Sequence, residues 1–455
     1  MSSVIAAIAT AAAPAGLGVI RVSGTEAISV AAQVFRPLSE RRVLTALPGY
    51  TAVYGHVYDE EGDIDDCVAT VFRAPHSYTG ENVVELSCHG GIYLLQRTLR
   101  AVFAAGATPA GAGEFTRRAF QNGKLDLTGA EAVMELIAAD GRLAAKTALA
   151  VREGAIFRRL QGVRDGLVAL QAQFSAFVDY PDDDIPELSE EALHTSLCEA
   201  EETLTQLLST YDAGRVLREG VDTVIVGSPN VGKSTLMNLL SGCERSIVTP
   251  VAGTTRDVVE ETVRVGEVRL RLADTAGIHD TTDTVEAIGV ERSRRRLETA
   301  SLILAVFDGS RPLSADDRAL IDTLPPESTI AVINKQDLPQ AIDIAYLSDR
   351  LSRLVYAEAR TGNGLSALTA AVEEITGVQQ LTGEQPVLAT ERQRNCALRA
   401  LDCVKEARGA LALGMTLDAV SVSTDGALSA ILELTGERTT EAVVDGIFAR
   451  FCVGK

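Results

Sequence analysis

The sequence predicts a multidomain fold of mixed class: an α+β amino-terminal domain, a helical domain in two pieces, and an α/β domain inserted between the pieces. Three observations predict it. The chain has 455 residues, more than one hydrophobic core organises. Its apolar pattern changes from short strand-like runs to helical stripes near residue 119. Helical stripes then stand on both sides of residues 218–378, where strands and helices alternate. The expected divisions are 1–118, 119–217, 218–378 and 379–455, the second and fourth forming one helical domain.

Met1–Ile20 carries no charged side chain. A secretory signal would want Lys or Arg before its apolar core. Pro14, Gly16 and Gly18 break the stretch too often for a membrane span. Strand, turn, strand is expected, with Gly18–Val22 in the second strand. Val68–Phe72 and Val83–Leu86 read as further strands.

The helical texture follows. Ile156, Leu160, Val163, Leu167, Leu170, Phe174 and Phe177 recur at spacings of four and three, and so put one apolar stripe on a helix. Leu193, Leu197, Ala200, Leu204, Leu208 and Tyr211 predict a second stripe. Residues 180–186 hold two prolines and an acidic run, which marks a helix break and a solvated loop rather than a metal site. Helical periods return in 391–412, 417–434 and 439–451.

Composition narrows the function. The net charge is -20 and the pI near 4.8. That argues against a broad basic face for nucleic acid and fits an acidic cytosolic protein. The seven cysteines lie at 67, 88, 198, 243, 396, 403 and 452 without a Cys-x-x-Cys pair. A disulfide framework or structural zinc is therefore not expected.

The α/β block carries the sharpest signal. The apolar run Val221–Val226 leads into Gly227-Ser228-Pro229-Asn230-Val231-Gly232-Lys233-Ser234, then into helical Thr235–Leu240. This is a phosphate loop in its strand–loop–helix context. Its backbone N–H groups and helix N-terminus face phosphate oxygens. Lys233 can neutralise the β- and γ-phosphates, and the Ser234 hydroxyl can reach Mg2+.

Asp274-Thr275-Ala276-Gly277 follows the alternating Val268–Leu272, which pairs with Thr262–Val265 across Gly266-Glu267. The aspartate can hold Mg2+ through water, and the glycine can offer its N–H to the γ-phosphate. Between the two motifs lies Thr249-Pro250-Val251-Ala252-Gly253-Thr254-Thr255, and Thr255 is expected to complete the Mg2+ shell. Such loops order on the γ-phosphate and relax after hydrolysis.

Asn334-Lys335-Gln336-Asp337 ends the strand Thr329–Ile333. The Asp337 carboxylate can accept from both N1–H and the 2-amino group of guanine; adenine lacks that pair, so ATP is excluded. These motifs resemble a Ras-like G domain. The closing loop, usually Ser-Ala-Lys, reads Glu358-Ala359-Arg360 after the strand Leu354–Ala357. The Ala359 N–H that would meet the guanine oxygen is still available, although the Ser and Lys are both replaced.

Many such GTPases place glutamine after the D-x-x-G motif to orient water, but here that position is Ile278. Two other groups are in reach by sequence. Asn230 can help hold a monovalent cation beside the phosphates, and Glu286 can orient water.

The flanks narrow the resemblance. Thr79-Gly80-Glu81-Asn82-Val83-Val84-Glu85-Leu86 with Cys88-His89-Gly90-Gly91, Gly113–Phe120 with Asn122–Leu127, and the ending Phe451-Cys452-Val453-Gly454-Lys455 resemble the MnmE (TrmE) family of tRNA-modification GTPases over essentially the whole chain. The resemblance implies a tetrahydrofolate-binding, dimerising amino-terminal domain, a split helical domain and an inserted G domain. It implies a homodimer that works with an FAD-dependent partner of the MnmG type in a heterotetramer or larger complex. Together they would install an aminomethyl-type group on C5 of the wobble uridine of tRNA. The one-carbon unit would come from a tetrahydrofolate in its 5-formyl or 5,10-methylene form.

It also implies residue roles. Arg21, Glu85, Lys124 and Lys455 would meet the folate. Asn230, Thr249, Val251 and Thr254 would hold K+, Glu286 would orient the attacking water, and G-domain pairing would activate hydrolysis. Cys452 is a candidate thiolate for tRNA chemistry, although a structural or folate-pocket role is favoured. His89 suits hydrogen bonding better than acid–base work. The competing reading is a ribosome-assembly switch, but the chain shows no second phosphate loop and no basic G-x-x-G module. A folate-dependent methyltransferase with a vestigial G domain conflicts with the intact Lys233, Asp274 and Asp337.

Overall fold

The computed structural model describes residues 3–179, 190–242, 261–272 and 300–455. The chain divides into two compact units, residues 1–134, 151–189 and 409–455 in one, and 135–150 with 190–408 in the other.

The first unit is built on a seven-stranded sheet of order β3-β4-β5-β6-β2-β1-β7. Its strands are β1 (Ile5–Ile8), β2 (Ala15–Ser23), β3 (Phe35–Pro37), β4 (Thr51–Asp59), β5 (Gly62–Phe72), β6 (Val83–Gly90) and β7 (Thr108–Pro109). The expected strand–turn–strand at the amino end is β1 and β2, paired antiparallel. Alternation does the sorting. Ile20, Val22, Val84 and Leu86 point to a core shared with Leu95 and Val102 of helix Ile92–Ala104. Arg21 and Glu85 therefore fall on the opposite face, directly across from one another in register.

Helix Ala155–Asp179 carries most of the expected stripe: Ile156, Leu160, Leu167, Leu170 and Phe174 are buried and Val163 is half-buried. It packs against helix Leu417–Thr435, and Gln171 Nε2 donates to Ser421 O at 2.8 Å and to Thr424 Oγ1 at 2.6 Å. Phe120, Phe448 and Phe451 pack with Ala130 and Val133 into a smaller core.

The second unit holds a six-stranded sheet of order β13-β12-β11-β8-β10-β9. Here β8 is Val221–Val226, β9 Glu261–Val265, β10 Val268–Leu272, β11 Leu302–Asp308, β12 Thr329–Asn334 and β13 Leu354–Tyr356. β9 and β10 form the expected hairpin, and the other pairings are parallel. Every residue of β11 and β12 is buried, as parallel strands covered on both faces must be. The carboxyl ends of β8, β11, β12 and β13 lie at one edge, where open parallel sheets gather their ligands.

One stripe needs correction. Helix Glu190–Leu208 stops before Tyr211, which begins helix Tyr211–Glu219. Leu207, not Leu208, is buried beside Leu193, Leu197, Ala200 and Leu204. The hydroxyls of Ser209 and Thr210 donate at 2.7 Å to Gln206 O and Leu207 O. Taking up last-turn carbonyls in this way favours ending the helix there. The proline-containing break at 180–186 lies outside the described residues.

Candidate functional site

The phosphate loop runs from the end of β8 to helix Lys233–Gly242. Gly227 (φ 146°), Asn230 (φ 63°) and Gly232 (φ 102°) take left-handed or otherwise glycine-favouring backbone. Space also demands the glycines. A Cβ on Gly227 would overlap Val306 O, and one on Gly232 would overlap the Asn334 amide. Lys233 Nζ folds back to donate to Gly227 O at 2.7 Å and Ser228 O at 2.8 Å. Burial lowers the pKa of this ammonium. It stands at the loop's centre, a cation able to transfer from carbonyls to phosphate. Ser234 and Thr235 are exposed on the first helical turn, where a hydroxyl can take a metal.

The base-reading loop joins the phosphate loop through Asn334. Its Nδ2 donates to Val231 O at 2.9 Å, and its Oδ1 accepts the Ala359 N–H at 3.0 Å. The Ala359 N–H, kept in the closing loop, thus points at the Asn334 side chain. Lys335 has φ 64°, and its ammonium lies 2.7 Å from Asp308 Oδ2. Asp337 is exposed, 3.6 Å from the Arg360 guanidinium. Glu358 takes the place of the usual serine, and its Oε2 accepts from Asn363 Nδ2 at 3.1 Å.

Asn230, Val231, Gly232, Lys233, Ser234 and Thr235 thus share one loop and helix start, and Asn334, Lys335, Asp337, Glu358, Ala359 and Arg360 sit at the same sheet edge. Thr249, Pro250, Val251, Ala252, Gly253, Thr254, Thr255, Asp274, Thr275, Ala276, Gly277 and Glu286 lie outside the described residues.

The first unit holds the second group of candidate residues. Arg21 bonds Glu85 through Nε at 2.9 Å and Nη2 at 2.8 Å. Its guanidinium centre lies 5.5 Å from the ring of Tyr78 and 5.6 Å from that of Phe115. The carboxyl-terminal tail closes over this group. Arg21 Nη1 donates to Gly454 O at 3.4 Å, Phe115 N–H donates to Lys455 O at 3.2 Å, and Val453 bridges Ala112. Lys124 is held elsewhere: its ammonium donates to Pro75 O at 3.1 Å, on the loop that carries Tyr78. Tyr78 and Phe115 escape the sequence reading, because nothing local says that an aromatic ring will face Arg21. Cys452 is exposed and reduced.

Arg118 anchors the neighbouring loop. It reaches Glu81 at 3.1 Å, Glu114 at 2.9 Å and Ser3 O at 2.8 Å, and Ser23 Oγ donates to Glu81 Oε2 at 2.9 Å. His89 is exposed. Its Nδ1 lies 2.7 Å from Asp65 Oδ1, and its own N–H donates to Asp65 Oδ2 at 2.7 Å. The ring's hydrogen bond with Asp65 raises the pKa of the imidazole. Among the described residues no group of three His, Cys, Asp or Glu is placed to hold a metal, and no helix is long and apolar enough to cross a membrane.

Comparison with known proteins identifies the family. A family model described as "GTP-binding protein TrmE N-terminus" matches residues 4–124, and one described as "MnmE helical domain" matches residues 127–452. A "tRNA modification GTPase MnmE" from Geobacter sulfurreducens is 42% identical over 455 residues, 99% of each chain. One from Symbiobacterium thermophilum is 41% identical over 455 residues, again 99% of each. One from Alkaliphilus metalliredigens is 38% identical over 460 residues, covering 100% of each.

Proposed function

We infer the detailed activity from one premise: the chain belongs to the MnmE family of tRNA modification GTPases. It is a GTPase, and its G domain is the α/β block. The proposed division of the chain is a folate-binding, dimerising domain over 1–118, helical halves over 119–217 and 379–455, and the G domain over 218–378. The observation that supports the nucleotide site best is the Asn334 bond to Val231, which joins the base-reading loop to the phosphate loop.

In the proposed cycle, Asp337 selects guanine while Lys233 and the loop N–H groups carry the phosphates. Ser234 and Thr255 would hold Mg2+ with help from Asp274, and the ion would neutralise charge on the phosphates. Asn230, Thr249, Val251 and Thr254 would hold K+ when two G domains meet, and the cation would stabilise charge beside the phosphates. Glu286 orients water onto the γ-phosphorus, and the bond to the GDP oxygen breaks. Positioning and charge stabilisation supply the catalysis. A reduced folate would lie against Arg21, Glu85, Lys124 and Lys455 and supply the one-carbon unit for C5 of the wobble uridine. Arg21 already carries a carboxylate and two aromatic rings, which suits a flat, charged ligand. The chain would act as a cytoplasmic homodimer with a flavoprotein partner. That partner would supply much of the tRNA-binding surface, since this chain has net charge -20.

The test is mass spectrometry of wobble-uridine nucleosides from cells with and without the gene. Loss of the aminomethyl-type modification, restored by wild type but not by Asp274→Ala, is the expected result. Unchanged nucleosides would remove the tRNA role and leave the ribosome-assembly switch as the better reading. Hydrolysis is expected to be faster in K+ than in Na+, and equal rates would end the cation proposal.

A further inference from the structure

Two buried carboxylates in the nucleotide unit stand outside the groups assigned to nucleotide or metal. Asp308, 8% exposed, ends β11. Its Oδ1 accepts the Ser310 N–H at 3.0 Å and hydroxyl at 2.6 Å, and its Oδ2 meets Lys335 Nζ at 2.7 Å. Asp317, 3% exposed, lies in the first turn of helix Ala315–Ile321. Its Oδ2 accepts the Ser314 N–H at 3.0 Å and hydroxyl at 2.7 Å, and its Oδ1 accepts the Ser228 hydroxyl at 2.5 Å.

Each carboxylate makes one local bond set that its turn or helix cap requires. The capping box needs only Ser314 and one oxygen of Asp317. The second oxygen, turned to Ser228, is surplus to the cap. Likewise the turn at Ser310 uses one oxygen of Asp308, and the other goes to Lys335. Both surplus bonds end on loops of the nucleotide site. Ser228 is the second residue of the phosphate loop, and its carbonyl holds the Lys233 ammonium at 2.8 Å. Lys335 sits at φ 64°, a conformation that a non-glycine residue keeps only when its surroundings hold it there.

We propose that Asp308 and Asp317 are positioning residues of the GTPase: the segment between them braces the base-reading loop through Lys335 and the phosphate loop through Ser228. A loop held in its binding conformation loses less entropy when nucleotide arrives. The inference rests on the nucleotide-site reading above.

The test uses the full chain, with GDP binding, GTP hydrolysis and competition by ITP, which lacks the 2-amino group. Ser228→Ala removes one hydroxyl. It should raise the Kd for GDP and the KM for GTP about three- to tenfold, the usual net effect of losing one hydrogen bond, while the preference for GTP over ITP persists. Asp308→Asn should erode that preference by a similar factor. Ser228→Ala with Asp317→Asn should be no worse for nucleotide than Ser228→Ala alone. Wild-type binding by Ser228→Ala and Asp308→Asn would overturn the proposal. So would effects that multiply in the double variant, or a lower thermal midpoint with unchanged nucleotide constants. If the Asp317 variant fails to fold, the two single variants decide. Asp337→Asn is the control. Full GTP preference in that variant would sink the site reading itself, whereas lost preference beside two silent brace variants would sink only the brace.

Discussion

Asn334 and Val231 stand 103 residues apart, yet the side-chain amide of the first donates to the carbonyl of the second at 2.9 Å, in the buried floor of the nucleotide site. The same side chain accepts from Ala359 at 3.0 Å, so three loops meet on one amide. Asn334→Ala removes both bonds and leaves buried groups unpaired. The expected cost is roughly 2–4 kcal/mol. Urea unfolding of the nucleotide-free protein and GDP retention on a filter check it. Stability within about 0.5 kcal/mol of wild type with intact GDP binding would contradict it.

Gly232→Ala tests the same floor by sterics. Gly232 holds φ 102°, and a Cβ there would overlap the Asn334 amide. Backbone strain alone costs about 1–3 kcal/mol. The variant should fold with a lowered thermal midpoint and lose GDP binding by at least about a hundredfold. Binding close to wild type in a fluorescence titration would show that the loop has room to give.

Much of this site was legible in the sequence because its motifs encode backbone needs. Gly227, Gly232 and Lys233 are local requirements of a phosphate loop, and β8 is bounded by them. What the sequence hid is pairwise and long-range. Nothing near Ser228 signals Asp317, and nothing near Arg21 signals Tyr78, Phe115 or the tail carbonyl of Gly454. The stripe from Leu193 to Tyr211 missed its helix end for a different reason. Apolar spacing continues through Ser209 and Thr210, but their hydroxyls take last-turn carbonyls, and Leu207 turns inward in place of Leu208.

Glu85→Gln tests the first unit. Arg21 and Glu85 are only partly exposed, 15% and 27% at their side chains, and lie opposite each other in the sheet. The variant keeps shape and removes the charge that orients the guanidinium. Binding of 5-formyltetrahydrofolate, measured by calorimetry, is expected to weaken at least about tenfold, or 1.4 kcal/mol, while GTP hydrolysis by the isolated chain is retained. Unchanged folate affinity would move the ligand away from this pair.

His89 supplies a pH dependence. Its hydrogen bond to Asp65 raises the imidazole pKa above its ordinary 6.5. A group with a raised folded-state pKa adds stability that is fully present below the unfolded value and is lost as pH rises through the folded value. The His89–Asp65 contribution should therefore be complete in mild acid and fade above pH 6.5. Proton NMR should place the His89 midpoint above 6.5, and Asp65→Asn should bring it down. A midpoint unaffected by Asp65→Asn would show that the pair does not form in solution.

The tail offers the sharpest test of how the proposed folate side is assembled. Gly454 holds φ 97°, and a Cβ there would come within 2.5 Å of Ile8 O and 3.1 Å of the Ala9 Cα. Both obstacles are backbone of β1 or its end, so neither can turn aside as a side chain would. Gly454→Ala must lift the tail off β1, at a cost of about 1–3 kcal/mol of local strain or lost contact. Lifting it breaks the Arg21 bond to Gly454 O and the Phe115 bond to Lys455 O together. The expected phenotype is local. Carboxypeptidase should trim the chain faster and folate binding should fall, while the thermal midpoint of the nucleotide unit stays in place. Unaltered trimming and unaltered folate affinity would mean that the tail's docking against Ile8 does not shape the Arg21 pocket.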